Sequence, residues 1–351
     1  MSTLPSTVPV IGLSPFLHDG EDAATRAARR EVAARLGEAC RAHGFFYLRD
    51  HGLDPALLAR MEALARAFFA LPEADKQSVA MTRGGRAWRG WFRTGGELTS
   101  GRPDWKEGLY LGQELPADDA RVRAGWPLHG ANQWPRDDAL PGFASTTLAY
   151  LDAVTAIGQR VLRAIALSLD LAEDYFAARY TADPLVLLRL FNYPSVAPAA
   201  AGGTDAAEAE GAAWGVGEHT DYGLLTLLYQ DATGGLQIRG RDGWIDAPPI
   251  PGTLVCNIGD MLDLITGGLY RSTPHRVRLN RSGRDRLSIP LFLDPGFEAR
   301  VERIAGLSAP DDDSDARWDR RNVHAFGGTY GEYLLAKVGQ VFPDLGASVL
   351  P

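Results

Sequence analysis

Apolar positions recur with two different periods along this chain, and the change from one to the other divides it. Residues 21–42 place Val32, Leu36 and Cys40 at helical spacing, and His43-Gly44 stops the run, glycine being the usual helix terminator. Residues 44–48 (Gly-Phe-Phe-Tyr-Leu) read as a strand, and residues 8–13 as a short strand whose proline suits an edge. Asp54 has N-cap chemistry and Pro55 suits a first helical position, so a second helix runs to Leu71 and ends at Pro72. Residues 139–171 carry one apolar stripe, Leu151, Val154, Ile157, Val161 and Ile165, that predicts a long helix backing a sheet. Helical spacing returns at 328–342, with Tyr333, Leu334, Val338 and Val341 on one face, placed to close over the mouth of the core.

Between these helices the pattern shortens. Strand-like runs occupy residues 186–193, 224–229, 235–239, 244–247, 253–257, 261–265, 271–279 and 286–293. Turn residues separate them at Gly234-Gly235, Asp242-Gly243, Pro251-Gly252 and Gly267-Gly268. Close spacing of short strands predicts a mainly β protein with flanking helices, built as a sandwich or jelly roll and not from βαβ units. We divide the chain into an N-terminal region with substrate-side loops (1–135), a helix-backed catalytic core (136–300) and a C-terminal loop and helix (301–351), forming one compact unit. Residues 83–112 are rich in Gly, Arg and Trp and read as a long loop. In such a loop Arg89, Trp91 and Arg93 are candidate substrate residues, arginine pairing a carboxylate and tryptophan stacking. Residues 197–213, dominated by Ala and Gly, read as an insertion loop, with a lid as the functional alternative.

Composition narrows the picture. At 351 residues and 45% hydrophobic, the chain can bury a sizeable core. A net charge of −8 argues against a nucleic-acid partner. The two cysteines, Cys40 and Cys256, lie in apolar surroundings and read as buried free thiols of a reducing compartment. No signal peptide and no run of membrane-span length is visible. The expectation is a cytoplasmic monomer or homodimer acting on a small molecule.

The chemistry concentrates between Gly217 and Pro290. His219 and Asp221 are two apart, so on a strand they face the same way. With a later His275 they would complete two imidazoles and one carboxylate, the ligand set of non-haem Fe(II) oxygenases, which leaves positions free for a chelating cosubstrate and O2. Zinc accepts the same ligand types but usually takes four-coordinate sites. Asp260 reads as a turn residue, not a ligand. Arg286 and Ser288, again two apart, offer a guanidinium fork and a hydroxyl that suit a carboxylate.

These segments, His219-Thr220-Asp221, Ser272-Thr273-Pro274-His275-Arg276-Val277 and Arg286-Leu287-Ser288, resemble the isopenicillin N synthase-like branch of the Fe(II)/2-oxoglutarate-dependent oxygenases. The N-terminal Pro9 to Ile11, Gly44 to Gly52 and Phe68 to Pro72 are similar to the same family, as is Asp104-Trp105-Lys106-Glu107. The resemblance implies a double-stranded β-helix, with Fe(II) on His219, Asp221 and His275. It further implies 2-oxoglutarate on Arg286 and Ser288, joined by Tyr193 of Asn192-Tyr193-Pro194. O2 would be consumed with release of succinate and CO2, and hydroxylation is the default outcome. The family also contains 2-oxoglutarate-independent oxidases that keep Arg-x-Ser and ethylene-forming enzymes, so both stand as alternatives.

Overall fold

The computed structural model of the chain describes residues 8–20, 22–196, 214–307, 312 and 314–342. The segment 197–213, weighed above as a lid, lies outside the described residues.

Among the described residues fourteen strands appear in chain order: β1 (Val10–Gly12), β2 (Phe45–Arg49), β3 (Gly90–Phe92), β4 (Leu98–Thr99), β5 (Arg102–Pro103), β6 (Glu107–Gly112) and β7 (Leu185–Tyr193), followed by β8 (Val216–His219), β9 (Leu225–Gln230), β10 (Leu236–Arg239), β11 (Trp244–Asp246), β12 (Leu254–Ile258), β13 (His275–Val277) and β14 (Arg286–Asp294). The major sheet has the order β1-β2-β12-β9-β14-β7-β6-β3, the minor sheet β11-β10-β13-β8, and β4-β5 is a separate hairpin. Among these ladders only β1–β2 is parallel, at the sheet edge that the adjoining Pro9 suits. Two antiparallel sheets flanked by helices make the jelly roll that the strand spacing predicted.

The helices are α1 (Ala23–Ala42), α2 (Pro55–Ala70), α3 (Glu73–Gln77), α4 (Ala120–Arg123), α5 (Phe143–Ser168), α6 (Tyr175–Arg179), α7 (Asp260–Ile265) and α8 (Tyr330–Val341). Their ends follow local chemistry. Asp22 and Asp54 cap α1 and α2 with side-chain oxygens, and Thr329 and Glu332 form a reciprocal capping box on α8. Gly44 ends α1 at φ +64°, where a Cβ would lie 2.5 Å from the Arg271 carbonyl oxygen. The stripe on α5 is buried as predicted, with Gly158 pressed close to Leu227 and Leu293 of the sheet. No helix among the described residues is long and apolar enough to cross a membrane.

Strand alternation sorts β14 into two faces. Leu287, Ile289, Leu291 and Leu293 are fully buried on the helix side. Arg286, Ser288, Pro290, Phe292 and Asp294 face a cavity, as do Leu187, Arg189, Phe191 and Tyr193 on β7. The sheet therefore presents apolar side chains to α5 and chemistry to the interior of the roll.

Two expectations are corrected. Residues 261–265 are not a strand but the body of α7. All of its residues are buried, so no period distinguished helix from strand, while Asp260 and Asp263 supply the first-turn acids that favour a helix. Residues 83–112 are not one loop. They contain β3 and β6, and β6 is a fully buried strand wedged between β3 and β7. Its glycines hid it. A Cβ on Gly108 would meet the Phe92 ring at 2.6 Å and one on Gly112 the Arg89 guanidinium at 2.3 Å, so packing demands residues of poor strand propensity.

Candidate functional site

β8 ends at His219 and β13 begins at His275, and the two residues are directly opposite in the antiparallel ladder. Their ring centroids are 4.2 Å apart. Asp221 follows just beyond β8, its Oδ1 lying 3.8 Å from His219 Nε2 and 3.7 Å from His275 Nε2. The three potential ligand atoms all fall within 4.8 Å of one another, and among the described residues no other cluster of three such side chains does this.

The surroundings aim these atoms. His219 Nδ1 donates to the Gly217 carbonyl at 2.8 Å and His275 Nδ1 to the Thr273 carbonyl at 3.2 Å, which leaves both Nε2 lone pairs turned to the shared point. Phe45 packs edge-on against His275. Asp221 Oδ2 accepts from Thr226 Oγ1 at 2.6 Å and Asn257 Nδ2 at 2.7 Å, so Oδ1 alone is free. Burial works against charge on Asp221, but the two imidazoles and these two donors hold its carboxyl below the usual range. Burial, aided by His219, pushes His275 down to about 4, so it stays a neutral lone-pair donor. Nothing in the sequence pointed to a role for Asn257, because its partner Asp221 lies thirty-six residues earlier, just beyond the end of β8. Asn257→Ala is expected to weaken divalent-metal binding about 10–100-fold with the fold intact, measured by metal titration. An unchanged affinity would remove Asn257 as the side chain that orients Asp221.

Gly223, two residues after Asp221, is a glycine for a steric reason. A Cβ there would lie 1.6 Å from Asp294 Oδ1. Asp260, read above as a turn residue, opens α7 and accepts from Tyr333 Oη at 2.7 Å.

Across the cavity, Arg286 opens β14 opposite Tyr193. Arg286 is 1% exposed, its guanidinium lies 4.6 Å from the Tyr193 ring centroid, and among the described residues none of its three nitrogens finds a hydrogen-bond partner. A buried cation without an acceptor costs several kcal/mol. Ser288 lines the same wall. A carboxylate is the group whose two oxygens fit such a fork.

Residues 8–137 match the family described as "non-haem dioxygenase in morphine synthesis N-terminal", and residues 184–295 the "2OG-Fe(II) oxygenase superfamily". A "Probable iron/ascorbate oxidoreductase" of Dictyostelium discoideum is 50% identical over 98% of this chain and 97% of its own length. The chain belongs to the 2OG-Fe(II) oxygenase superfamily. A 1-aminocyclopropane-1-carboxylate oxidase of Dictyostelium mucoroides is 39% identical to this oxygenase over 96% of the chain and 95% of its own. Among solved structures, full-length Neurospora crassa T7H in complex with alpha-KG superimposes with a TM-score of 0.75, at 29% identity, over 95% of this chain and 96% of that one. The oxygenase is thus an Fe(II)-, 2-oxoglutarate- and O2-dependent enzyme, as the resemblance implied. The donor set of two neutral imidazoles with one carboxylate suits Fe(II), and the unmet donors of Arg286 suit the cosubstrate.

The cavity of the oxygenase, about 580 Å³, runs between the two sheets and under α8. Leu334, Lys337, Val338 and Phe342 cover it, so the C-terminal helix does lie over the mouth. The three substrate candidates of residues 83–112 fall elsewhere, and this is a correction. Arg89 is buried and donates to the Leu128 carbonyl. Trp91 is buried with its Nε1 on Glu107. Arg93 is exposed on the surface. None of them lines the cavity. Trp91 turns away because β3 is paired in the sheet, which fixes the side chain's direction. The same segment reaches the cavity through Glu97, Thr99 and Lys106 instead, where Lys106 Nζ pairs with Asp104 at 2.5 Å and Glu97 at 2.8 Å.

Burial raises the Asp294 carboxyl to about 7, against a hydrogen bond from Tyr330. Its folded value lies above its unfolded one, so the folded state holds the extra proton and stability falls as pH rises from about 4 to about 7. Asp294→Asn, which keeps an acceptor for Tyr330, is expected to flatten this decline, with a gain on the order of a few kcal/mol at neutral pH. Chemical denaturation at pH 4.5 and 7.5 checks it. Parallel pH dependence in both proteins would refute it.

Proposed function

We propose that this chain hydroxylates a small molecule, with Fe(II) held by His219 Nε2, Asp221 Oδ1 and His275 Nε2. The observation that carries this reading is the convergence of those three atoms within 4.8 Å. Arg286 and Ser288, with Tyr193 beneath, would take the distal carboxylate of 2-oxoglutarate. When bound, metal and cosubstrate supply O2 activation, with 2-oxoglutarate going to succinate and CO2 and a substrate C–H bond oxidised.

The chain's own contributions follow from its geometry. The Gly217 and Thr273 carbonyls fix both imidazole tautomers, and Thr226 with Asn257 occupies one Asp221 oxygen so that it serves through the other. The Arg286 cation offsets the charge of a dianion in a dry setting. α8 and Trp318, whose Nε1 donates to Thr220 at 3.1 Å, shield the cavity from bulk water. We further propose that residues 1–135, 136–300 and 301–351 act as one unit, because the C-terminal part covers a cavity built by the other two.

A second reading, a 2-oxoglutarate-independent oxidase, is favoured by the similarity to a 1-aminocyclopropane-1-carboxylate oxidase. The unmet donors of Arg286 favour the first. Purified protein supplied with Fe(II) and 2-oxoglutarate in air is expected to release succinate in step with O2 uptake. O2 uptake with no succinate would move the assignment to the oxidase.

A further inference from the structure

Among the described residues, four lysines and arginines besides Arg286 line the cavity: Lys106, Arg189, Arg321 and Lys337. Lys106 is already held by Asp104 and Glu97, and Lys337 by Asp319 and Asp260. Arg321 is exposed. Arg189 differs from all three. It is 7% exposed, and among the described residues no carboxylate lies within ion-pair distance of it.

Its pose is fixed before any ligand arrives. Nη1 donates to the Leu111 and Leu188 carbonyls at 3.2 Å each, and the guanidinium stacks 3.5 Å over the centroid of the Tyr110 ring. Tyr110 in turn donates to Glu97, whose charge is already engaged by Lys106. Asp294, the other acid whose field reaches Arg189, is not in ion-pair contact with it and accepts from Tyr330, and burial pulls the Arg189 guanidinium below its ordinary value. An orientated, desolvated cation facing a cavity gains most from an anion that enters it.

The register gives its place. Arg189 and Tyr193 share the cavity face of β7, four residues apart, and Tyr193 is opposite Arg286. At the strand rise the two arginines are about 14 Å apart along the sheet. Phe191, Ser288 and Pro290 line the wall between, and the His219, Asp221 and His275 cluster belongs to the same cavity.

We propose that Arg189 is the receptor for a carboxylate on the prime substrate, so that this oxygenase acts on small carboxylic acids, amino acids among them. The proposal rests on the oxygenase reading of the site. It assigns the two guanidiniums different anions, Arg286 the cosubstrate and Arg189 the molecule to be oxidised.

The test is calorimetric titration of the full chain loaded with Mn(II) and 2-oxoglutarate. The probes are 1-aminocyclopropane-1-carboxylate, L-arginine and benzoate, each against its primary amide. At least one acid is expected to bind about 10–100-fold more tightly than its amide, the worth of a charge-assisted hydrogen bond. Arg189→Gln should erase that preference and Arg189→Lys restore part of it, which a misfolded variant would not do. Acids that bind no better than their amides, including the case in which no acid binds, would overturn the proposal while leaving the oxygenase reading intact. So would an acid preference that survives in Arg189→Gln. Wild-type protein unable to bind 2-oxoglutarate would instead remove the oxygenase reading and this proposal with it.

Discussion

Arg286→Met is expected to weaken 2-oxoglutarate binding and, in the same protein, to raise the stability of the ligand-free state. Among the described residues the guanidinium makes no hydrogen bond, so its removal breaks none there. It does forfeit the stacking on Tyr193, worth about 0.5–2 kcal/mol. Against that, it relieves a buried, unpaired charge whose burial costs several kcal/mol. The balance favours a higher melting temperature without ligand. Two charge-assisted hydrogen bonds at roughly 1.5–3 kcal/mol each predict a loss of about 100-fold or more in affinity for 2-oxoglutarate. Titration with 2-oxoglutarate and melting with and without it check both signs. Wild type should gain stability with added 2-oxoglutarate as mass action requires, and the variant far less. Unchanged affinity, or a variant less stable than wild type without ligand, would show that Arg286 serves the fold and not the cosubstrate.

His219→Ala is expected to reduce 2-oxoglutarate-dependent O2 uptake by more than about 100-fold, since even residues that merely orient metal ligands commonly cost 10–100-fold. Fe(II) affinity should fall with it. The fold should survive, because His219 is the last residue of a short strand and only part-buried, with one hydrogen bond to backbone two residues away. Equilibrium dialysis of Fe(II) and far-ultraviolet circular dichroism separate the two outcomes. Full turnover in this variant would falsify the ligand assignment, and a loss of turnover accompanied by unfolding would relocate the role of His219 to stability.

The readings that held share a cause. Helices α1, α2, α5 and α8 were legible because each buries one face, so the 3.6-residue period survives in the sequence along with its caps. β9, β12 and β14 were legible as short apolar runs set off by turns. The failures share the opposite cause. α7 is buried on every side, which erases its period, and β6 carries glycines because Phe92 and Arg89 leave no room for a Cβ. Arg89, Trp91 and Arg93 were chosen for residue type within a presumed loop. Pairing of β3 with β6 decided where Trp91 points, and the Leu128 carbonyl holds Arg89 away from the cavity.

The sequence by itself determined the helical frame, the jelly-roll class and the residue types of a metal and carboxylate site, because periodicity and side-chain chemistry are local properties. It offered His219 and Asp221 as neighbouring ligand types, although the strand ends at His219 and Asp221 lies beyond it, and it could not set them beside His275, fifty-four residues after Asp221. Only the tertiary structure decided that. In the other sheet, the β7–β14 ladder leaves Arg286 and Arg189 facing the same cavity, and among the described residues neither has a carboxylate partner. Which donors go unmet depends on every neighbour at once, and a linear chain holds no record of its neighbours until strand pairing and burial assign them.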